Sequence, residues 1–344
     1  MTLGEPRPVE TLFIGGGTPT YLSVDQLKQL LTDINHWLPL PSGGEFSIES
    51  TPDSLTEDKS GVLASHGVTR VSIGVQSFHP ELLNSLDRLH TTDQIPQAVE
   101  AVRRRGLELS FDLIFAAPRS TVQSWESDLK AALSYAPRHL STYGLTYEKG
   151  TPLWKQRQSG AVRPIGEDDE LTMYELAMDR LTAAGFEHYE ISNFAHRGHR
   201  CRHNERYWAN EAYYGFGVGA ARYIDGVREL NTRDTKTYIR KVFSGESPTF
   251  QSERLDNRNR AFETIGTQIR RAEGIERNRF QEQTGFDLDT LVGNRLVALV
   301  DNGLLADRGS SVSLTRRGFC VADGVIEDLM KANGTGEEND QLTT

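Results

Sequence analysis

A regular alternation of strand-like and helix-like patterns is the feature that most restricts how this chain can fold. Runs rich in β-branched and aromatic residues occupy residues 11–14, 45–50, 70–75, 109–115, 139–145 and 188–192. Patterns typical of amphipathic helices lie between them, most clearly at residues 23–31, 92–105 and 168–184. Because a crossover helix usually joins parallel neighbours, this order predicts an α/β fold with a parallel sheet. Six such units are too few to close an eight-stranded barrel, so we expect an open, partial barrel.

Three consecutive glycines end the first strand-like run. Gly15, Gly16 and Gly17 are followed by Thr18. Without Cβ atoms, the backbone can approach a ligand closely and offer it N–H and C=O groups, which favours a small polar ligand. A tight turn between strand and helix, with no ligand, is equally compatible with the glycines alone.

The composition excludes several classes of protein. The chain has 344 residues and a net charge of −10, so we expect a soluble globular protein that binds no nucleic acid. No apolar stretch approaches the roughly 20 residues of a membrane span. The start of the chain lacks the apolar core of a signal peptide, and we therefore expect a cytoplasmic location. Cys201 and Cys320 are the two cysteines, too far apart in sequence to indicate a disulfide framework or a cysteine metal cluster.

The second part of the chain follows a different pattern. A histidine- and arginine-rich stretch after residue 193 leads to a glycine-rich segment at 214–220. Helical patterns then cover residues 263–272, 276–284 and 288–302, followed by a short strand-like run at 312–315 and a last helix to residue 330. This order is similar to a winged helix, but acidic residues balance the basic ones, so we expect a packing or lid domain. The tail, residues 332–344, is predicted to be disordered.

Six motifs, in order along most of the chain, resemble one family. They are Gly15-Gly-Gly-Thr-Pro-Thr, Ser47-Ile-Glu-Ser-Thr-Pro, Ser72-Ile-Gly-Val-Gln-Ser-Phe, Leu86-Asp-Arg-Leu-His, Phe111-Asp-Leu-Ile-Phe-Ala-Ala-Pro and Cys201-Arg-His-Asn-Glu-Arg-Tyr-Trp. Together they are similar to the HemW family, haem chaperones of the radical S-adenosylmethionine (SAM) superfamily that resemble oxygen-independent coproporphyrinogen III oxidase. The resemblance implies a radical SAM partial barrel of (β/α)6 type at residues 1–195, a haem-binding connector at 196–255 and a helical domain at 256–331.

For SAM, the resemblance implies a set of seven binding residues. They are Gly16, Gly17, Thr18, Glu49, Gln76, Arg88 and Asp112. Open glycine backbone offers groups that the zwitterionic methionine end of SAM needs, and the Glu49 carboxylate can accept hydrogen bonds from ribose hydroxyls or the ammonium group. A surface charge is the other interpretation of Glu49. Asp112 lies in an otherwise apolar strand, where a carboxylate needs a partner, and Arg88 is one candidate for it.

For haem, the resemblance implies the HNxxYW motif. Its residues are His203, Asn204, Tyr207 and Trp208. Haem needs an axial ligand for iron, aromatic surface for the macrocycle and cations for the propionates. His203 is the candidate iron ligand, and the alternatives and candidate cations are Cys201, His196, His199, Arg200, Arg202 and Arg206. The competing interpretation makes the two aromatics core residues and lets His203 and Asn204 bond a loop.

The resemblance also implies a 4Fe–4S cluster, whose cysteine ligands this chain does not contain. Radical SAM enzymes hold the cluster through a CxxxCxxC motif upstream of the glycine triplet, and two isolated cysteines cannot replace it. We expect that the first barrel strand is missing and that the natural protein starts upstream, because the SAM residues make sense only around a complete pocket. A true truncation that keeps a haem- or nucleoside-binding shell is the alternative. In either case we expect no radical catalysis by the chain as written.

Three functions follow from these patterns. The first is a haem chaperone that binds haem and SAM and delivers haem to an acceptor protein, with any peripheral membrane contact made through that acceptor. The second is an oxygen-independent coproporphyrinogen III oxidase of porphyrin biosynthesis. The third is a cluster-free binding protein or inactive fragment. The intact HNxxYW motif favours the first, and the sequence leaves the acceptor and the oligomeric state open.

Overall fold

The computed structural model describes residues 4–333, which divide into two compact units. The sheet unit ends at His203, and the C-terminal unit begins at Asn204. The division falls inside the helix Arg202–Trp208, so the two halves of the HNxxYW motif belong to different units. The domain boundaries expected from the sequence stay a prediction. In residues 4–333, no helix combines the length and the apolar character that crossing a membrane requires.

The sheet unit is built from strands that alternate with helices, as the sequence predicts. The strands are β1 (Thr11–Ile14), β2 (Glu45–Ser50), β3 (Arg70–Gln76), β4 (Glu108–Phe115), β5 (His139–Gly144), β6 (Glu187–Glu190) and β7 (Asn193–Ala195). The helices are α1 (Val24–Trp37), α2 (Glu57–Ser65), α3 (Pro80–Ser85), α4 (Gln94–Arg103), α5 (Val122–Ser134), α6 (Pro152–Gln158) and α7 (Glu167–Ala183). Strands β1 to β5 are parallel neighbours in chain order, which confirms the predicted α/β fold with a partial-barrel sheet.

One end of this sheet differs from the prediction. The sequence indicates a single strand at 188–192, whereas the structure has two short strands, β6 and β7. Strand β7 lies between β5 and β6 and runs antiparallel to both. Its three residues are too few to show the alternation by which a strand is recognised in a sequence.

The first helix shows how local sequence sets an element. The Ser23 side chain accepts a hydrogen bond from the Gln26 backbone, and the Gln26 side chain bonds the Ser23 backbone in return. This capping box starts α1 where the sequence predicts it. Leu27 and Leu31 are fully buried, as their spacing indicates.

The two faces of the sheet have opposite chemistry. On one face, Phe111 contacts the rings of Phe78 and Tyr135, and Phe115 contacts Trp125 of α5. The other face, here called the polar face, carries the alternate residues of successive strands. Its residues include Glu45, Ser47, Glu49, Arg70, Ser72, Ser110, Asp112, His139 and Ser141. A polar row across parallel strands gives this unit an inner surface suited to binding polar groups.

The C-terminal unit starts within the helix that we number α8 (Arg202–Trp208). Its strands are β8 (Ala221–Ile224), β9 (Val227–Asn231), β10 (Thr249–Arg254), β11 (Ile275–Glu276), β12 (Leu305–Asp307) and β13 (Ser311–Leu314). Its further helices are α9 (Thr235–Phe243), α10 (Asn257–Gln268), α11 (Arg277–Thr284), α12 (Leu288–Asp301), α13 (Arg316–Cys320) and α14 (Ala322–Met330).

The strands of this unit form two antiparallel sheets, in the orders β10-β9-β8 and β11-β13-β12. Three helices followed by a β12–β13 hairpin match the predicted order, whereas the sheet of β8 to β10 was not predicted. The predicted disordered tail lies, from residue 334 onward, outside the described residues.

Candidate functional site

The glycine triplet and Glu49 meet where β1 and β2 end. The Gly16 backbone N–H donates a hydrogen bond to Glu49 Oε2 at 3.0 Å. A Cβ on Gly15 would lie 2.6 Å from Glu49 Cδ and 2.8 Å from the Phe13 ring, so only glycine lets the carboxylate lie against this loop. Gly16 has φ +79°, and Cβ atoms on Gly16 and Gly17 would meet nothing within 4 Å. The loop therefore presents open backbone beside a carboxylate.

Two carboxylates, Glu49 and Asp112, belong to this edge of the sheet. Burial, and after it the nearby Asp112, raise the pKa of Glu49 to about 7, against the N–H groups of the glycine loop, which lower it. Burial also raises the pKa of Asp112, against the hydroxyls of Ser141 and Ser72 that bond it. Two buried like charges are stabilised by a proton or by a cation. This edge is therefore suited to a ligand that carries positive charge.

Strained backbone marks the same edge. Gln76, at the end of β3, has φ +63°, and Ala116, directly after β4, has φ +57°. Such values are uncommon for residues other than glycine and cluster at binding sites. The Gln76 side chain folds over Gly74, since a Cβ on Gly74 would lie 2.7 Å from Gln76 Nε2. The absence of a side chain at Gly74 makes room for this amide.

Two further candidates, Thr18 and Arg88, lie in loops after the strands. Thr18 is half-buried and precedes the short 3-10 turn Pro19–Tyr21. Arg88 is exposed and lies near Tyr21, whose hydroxyl donates to Asp53 at 2.8 Å. A phenol, a carboxylate and a guanidinium are thus available beside the glycine loop.

The hydrogen-bond partners of Asp112 are serine hydroxyls, and not Arg88, which the sequence suggested. Its Oδ1 atom accepts a hydrogen bond from Ser72 Oγ at 2.9 Å, and Ser141 supplies a second hydroxyl. Among the described residues, Arg88 forms no ion pair with Asp112, which corrects that pairing. The reason is the strand register, which places Ser141 of β5 directly beside Asp112 of β4 on the polar face.

His203 lies at the amino ends of β1 and β2. Its Nδ1 atom is 2.9 Å from Thr11 Oγ1, and its ring stacks on Phe13 with centroids 5.6 Å apart. Its backbone N–H donates to Glu45 at 3.0 Å. Burial lowers the pKa of His203, so the ring is neutral near pH 7. A neutral imidazole with one nitrogen fixed by a hydrogen bond is the form that ligates metals.

Glu45 organises the start of α8. Its carboxylate accepts the backbone N–H groups of Arg202 and His203, each at 3.0 Å, and lies 3.6 Å from Arg70 Nη1. A negative charge is stabilised at a helix N-terminus, and the nearby arginine offsets the cost of burying it. Cys201 is buried with its Sγ atom 3.5 Å from Glu45 Oε1. This position makes Cys201 less suitable than His203 as an iron ligand.

The other predicted ligands and cations of this segment hold other contacts. His199 Nδ1 lies 2.7 Å from Glu108 Oε2, and the His196 ring packs against Phe186 at 4.0 Å. The cations are engaged as well, Arg200 with Glu187 at 3.1 Å and Arg202 with the Gly43 carbonyl at 2.7 Å. These contacts hold the chain between β7 and α8 in place.

The second half of the motif presents aromatic surface in the C-terminal unit. Tyr207 is 38% exposed and its ring meets Tyr213 edge-on at 4.4 Å. Trp208 is half-buried beneath the Arg270 guanidinium, which lies 5.7 Å from its ring. Asn204 is half-buried. Tyr207 is therefore not a core aromatic.

The end of α8 is anchored by residues that no motif indicated. Asn210 has φ +53°, and its side-chain amide donates to Thr264 at 3.0 Å. The amides of Gln268 and Gln283 donate to the Ala209 carbonyl at 3.1 and 3.0 Å. These distant residues carry no recognisable spacing in the sequence. They fix the end of the helix that bears both aromatics.

Comparisons with known proteins agree with this architecture. Residues 1–132 match the Radical SAM superfamily, and residues 255–321 match the HemN C-terminal domain. Coproporphyrinogen III oxidase (HemN) from Escherichia coli, described as a radical SAM enzyme, has a similar fold, with a TM-score of 0.80 at 20% identity over 94% of this chain and 78% of that chain. Residues 1–132 thus carry a Radical SAM superfamily sequence, and the chain has the fold of that oxidase.

Curated relatives narrow the class to a family. Heme chaperone HemW of Bacillus subtilis (strain 168) is 37% identical over 325 residues, which cover 94% of this chain and 86% of the relative. Heme chaperone HemW of Escherichia coli (strain K12) is 31% identical over 325 residues, with coverages of 93% and 84%. The chain belongs to the HemW family.

Proposed function

We propose that this chain binds haem through the α8 segment and delivers it to an acceptor protein. The observation that carries the proposal is His203, a neutral imidazole whose Nδ1 is engaged by Thr11 Oγ1 at 2.9 Å. The Thr11 hydroxyl and the stacking on Phe13 set the orientation of the imidazole ring, as partners of metal-ligating histidines do. Tyr207 and Trp208 would contact the macrocycle. The relatives named heme chaperone support this role.

We further propose that the edge formed by the glycine loop, Glu49 and Asp112 binds SAM. SAM supplies a sulfonium cation and a zwitterionic methionine end. Positive charge suits the two carboxylates, because burial raises the pKa of both and a nearby cation stabilises a buried carboxylate. The open backbone of Gly16 and Gly17 suits the methionine end. Thr18, Gln76 and Arg88 complete the set of candidate binding residues.

The cysteines of this chain do not fit a 4Fe–4S cluster. The cluster needs at least three thiolates close together, whereas Cys201 and Cys320 are the two cysteines of the sequence. No step of the proposed function uses a cluster. The role proposed for the chain is binding and transfer, in the cytoplasm, with an acceptor that receives the haem.

The experiment that tests the haem site is a titration of the purified chain with haem, followed in the Soret band. We expect His203→Ala to shift the Soret maximum and to weaken binding by about tenfold or more, because loss of an axial ligand removes well over 1.4 kcal/mol. His196→Ala is the matched control, since His196 packs on Phe186 near the same segment. An unchanged spectrum and affinity in His203→Ala would remove His203 as the ligand. Turnover of coproporphyrinogen by a longer form that carries the CxxxCxxC motif, without haem binding, would instead favour an oxidase.

A further inference from the structure

The polar face carries a chain of hydrogen bonds that starts at Asp112 and whose other members belong to neither proposed site. Asp112 Oδ1 lies 2.9 Å from Ser72 Oγ, which lies 3.1 Å from Ser110 Oγ, which in turn lies 2.9 Å from His139 Nδ1. The strand register places Ser72, Ser110 and His139 side by side on β3, β4 and β5. Their exposed fractions are 6%, 1% and 3%. Bulk water therefore does not interrupt the chain.

The chain continues to the segment that carries His203. His139 Nε2 lies 2.7 Å from the Tyr189 hydroxyl, and that hydroxyl accepts the backbone N–H of Cys201 at 3.3 Å. Tyr189 is 1% exposed. Cys201 directly precedes α8, whose second residue is His203. One end of this row of hydrogen bonds thus lies at Asp112 and the other at Cys201, just before α8.

The direction of these hydrogen bonds depends on Asp112. Ser72 Oγ is placed to donate to Asp112 and to Ser110, but a hydroxyl has one hydrogen. An ionised Asp112 can only accept, so it takes that hydrogen, and Ser110 then accepts from His139 Nδ1. His139 Nε2 then accepts from Tyr189. Burial holds the pKa of His139 well below its usual range, so the ring is neutral and has the single N–H that this order requires. A protonated Asp112 can donate to Ser72 instead, so that Ser72 donates to Ser110 and Ser110 donates to His139 Nδ1.

We propose that this buried chain of hydrogen bonds couples the proposed SAM site, at Glu49 and Asp112, to the proposed haem site on the α8 segment. His139 and Tyr189 act in it as positioning residues. The inference rests on the proposed function. A cationic ligand beside Asp112 favours the ionised carboxylate and therefore the arrangement in which Tyr189 donates to His139. The same Tyr189 hydroxyl accepts the backbone N–H of Cys201, so the arrangement affects the residue that precedes α8. Buried networks with two discrete arrangements can carry such coupling, and the coupling is reciprocal between the sites.

The test is a double-mutant cycle with haem as the only ligand. The haem dissociation constant is measured for the wild-type chain, Asp112→Asn, Ser110→Ala and the double variant. We expect Asp112→Asn to change it by about fivefold or more, the lower end of usual coupling. Ser110→Ala interrupts the row of hydrogen bonds at its middle. In that background, the change in the haem dissociation constant caused by Asp112→Asn should shrink to within about twofold.

A second variant and a control exclude a purely structural effect. Tyr189→Phe should abolish the Asp112→Asn effect in the same way, since it removes the hydroxyl between His139 and Cys201. Tyr174→Phe is the control, because it removes a hydroxyl that donates to the Ile191 carbonyl at 2.7 Å, away from the chain. With Tyr174→Phe the Asp112→Asn effect should persist.

The outcomes separate the inference from the proposed function. An Asp112→Asn effect of equal size with and without Ser110 overturns the inference, as does no effect of Asp112→Asn in the wild-type background. Nitrogen-15 NMR adds an independent readout, since Asp112→Asn should change the ratio of the Nδ1–H and Nε2–H tautomers of His139, and an unchanged ratio overturns the inference. If the wild-type chain binds no haem, the proposed function itself falls.

Discussion

The Glu45 carboxylate accepts the backbone N–H of His203 at 3.0 Å and so links the first residue of β2 to the start of α8. No helix cap is encoded next to α8 in the sequence. A residue far away in the chain supplies it, because β2 and α8 are brought together only by the fold. The candidate iron ligand is thus positioned by the amino ends of two strands.

Replacing Glu45 by Ala should destabilise the sheet unit and weaken haem binding. Two backbone N–H groups of α8 would lose their acceptor, and a buried group left unpaired costs about 1–3 kcal/mol. The free energy of unfolding in urea and the Soret titration measure the two effects. Glu57→Ala is the control, since Glu57 forms an exposed pair with Arg104 and should cost less than about 1 kcal/mol. Equal losses in both variants would contradict the capping role.

The stability of the protein should depend on pH through Glu49. Its pKa is raised from 4.5 to about 7 in the folded state, so the folded protein holds the proton more tightly than the unfolded chain. The contribution of Glu49 to the free energy of unfolding is therefore full below about pH 4.5 and is lost as the pH rises to about 7. Glu49→Gln should flatten this part of the profile, measured by urea unfolding between these pH values. An unchanged slope would contradict the raised pKa.

Substitution in the glycine loop should separate packing from ligand contact. Gly15→Ala places a Cβ 2.6 Å from the Glu49 carboxylate, and such overpacking costs about 1–3 kcal/mol of stability. Gly17→Ala meets nothing within 4 Å and should leave stability nearly unchanged. If the loop binds SAM, Gly17→Ala should still weaken SAM binding, measured by isothermal calorimetry. Normal SAM affinity in Gly17→Ala would remove this residue from the binding site.

Tyr207 should contribute to haem affinity and little to stability. It is 38% exposed, so Tyr207→Ala leaves no large cavity, but it removes aromatic surface from the motif. We expect haem to bind about fivefold more weakly, equivalent to about 1 kcal/mol, with the thermal midpoint nearly unchanged. Phe243→Ala, at a residue 89% exposed in the same unit, is the control and should leave haem affinity unaltered. Parallel losses of affinity in both variants would show that the effect is not specific to the motif.

Several parts of the fold and site were predictable because their signals are local. Ser23 and Gln26 encode the start of α1, and the glycine triplet marks the end of β1. The motif around Glu49 likewise identified a carboxylate at the end of a strand. The motifs did not indicate the short strand β7 or the hydrogen-bond partners of Asp112. Those depend on strand register, which a single sequence does not specify.

By itself, the sequence determined the alternation of strands and helices, the identity of the chemical groups and the family that they resemble. Only the tertiary structure decided which groups meet: Glu49 beside Asp112, His203 against Thr11, and Tyr189 between His139 and Cys201. The physical reason is that period-two alternation assigns a residue to one face of a strand. The order and register of the strands then determine its neighbours, which come from segments as far as 192 residues away.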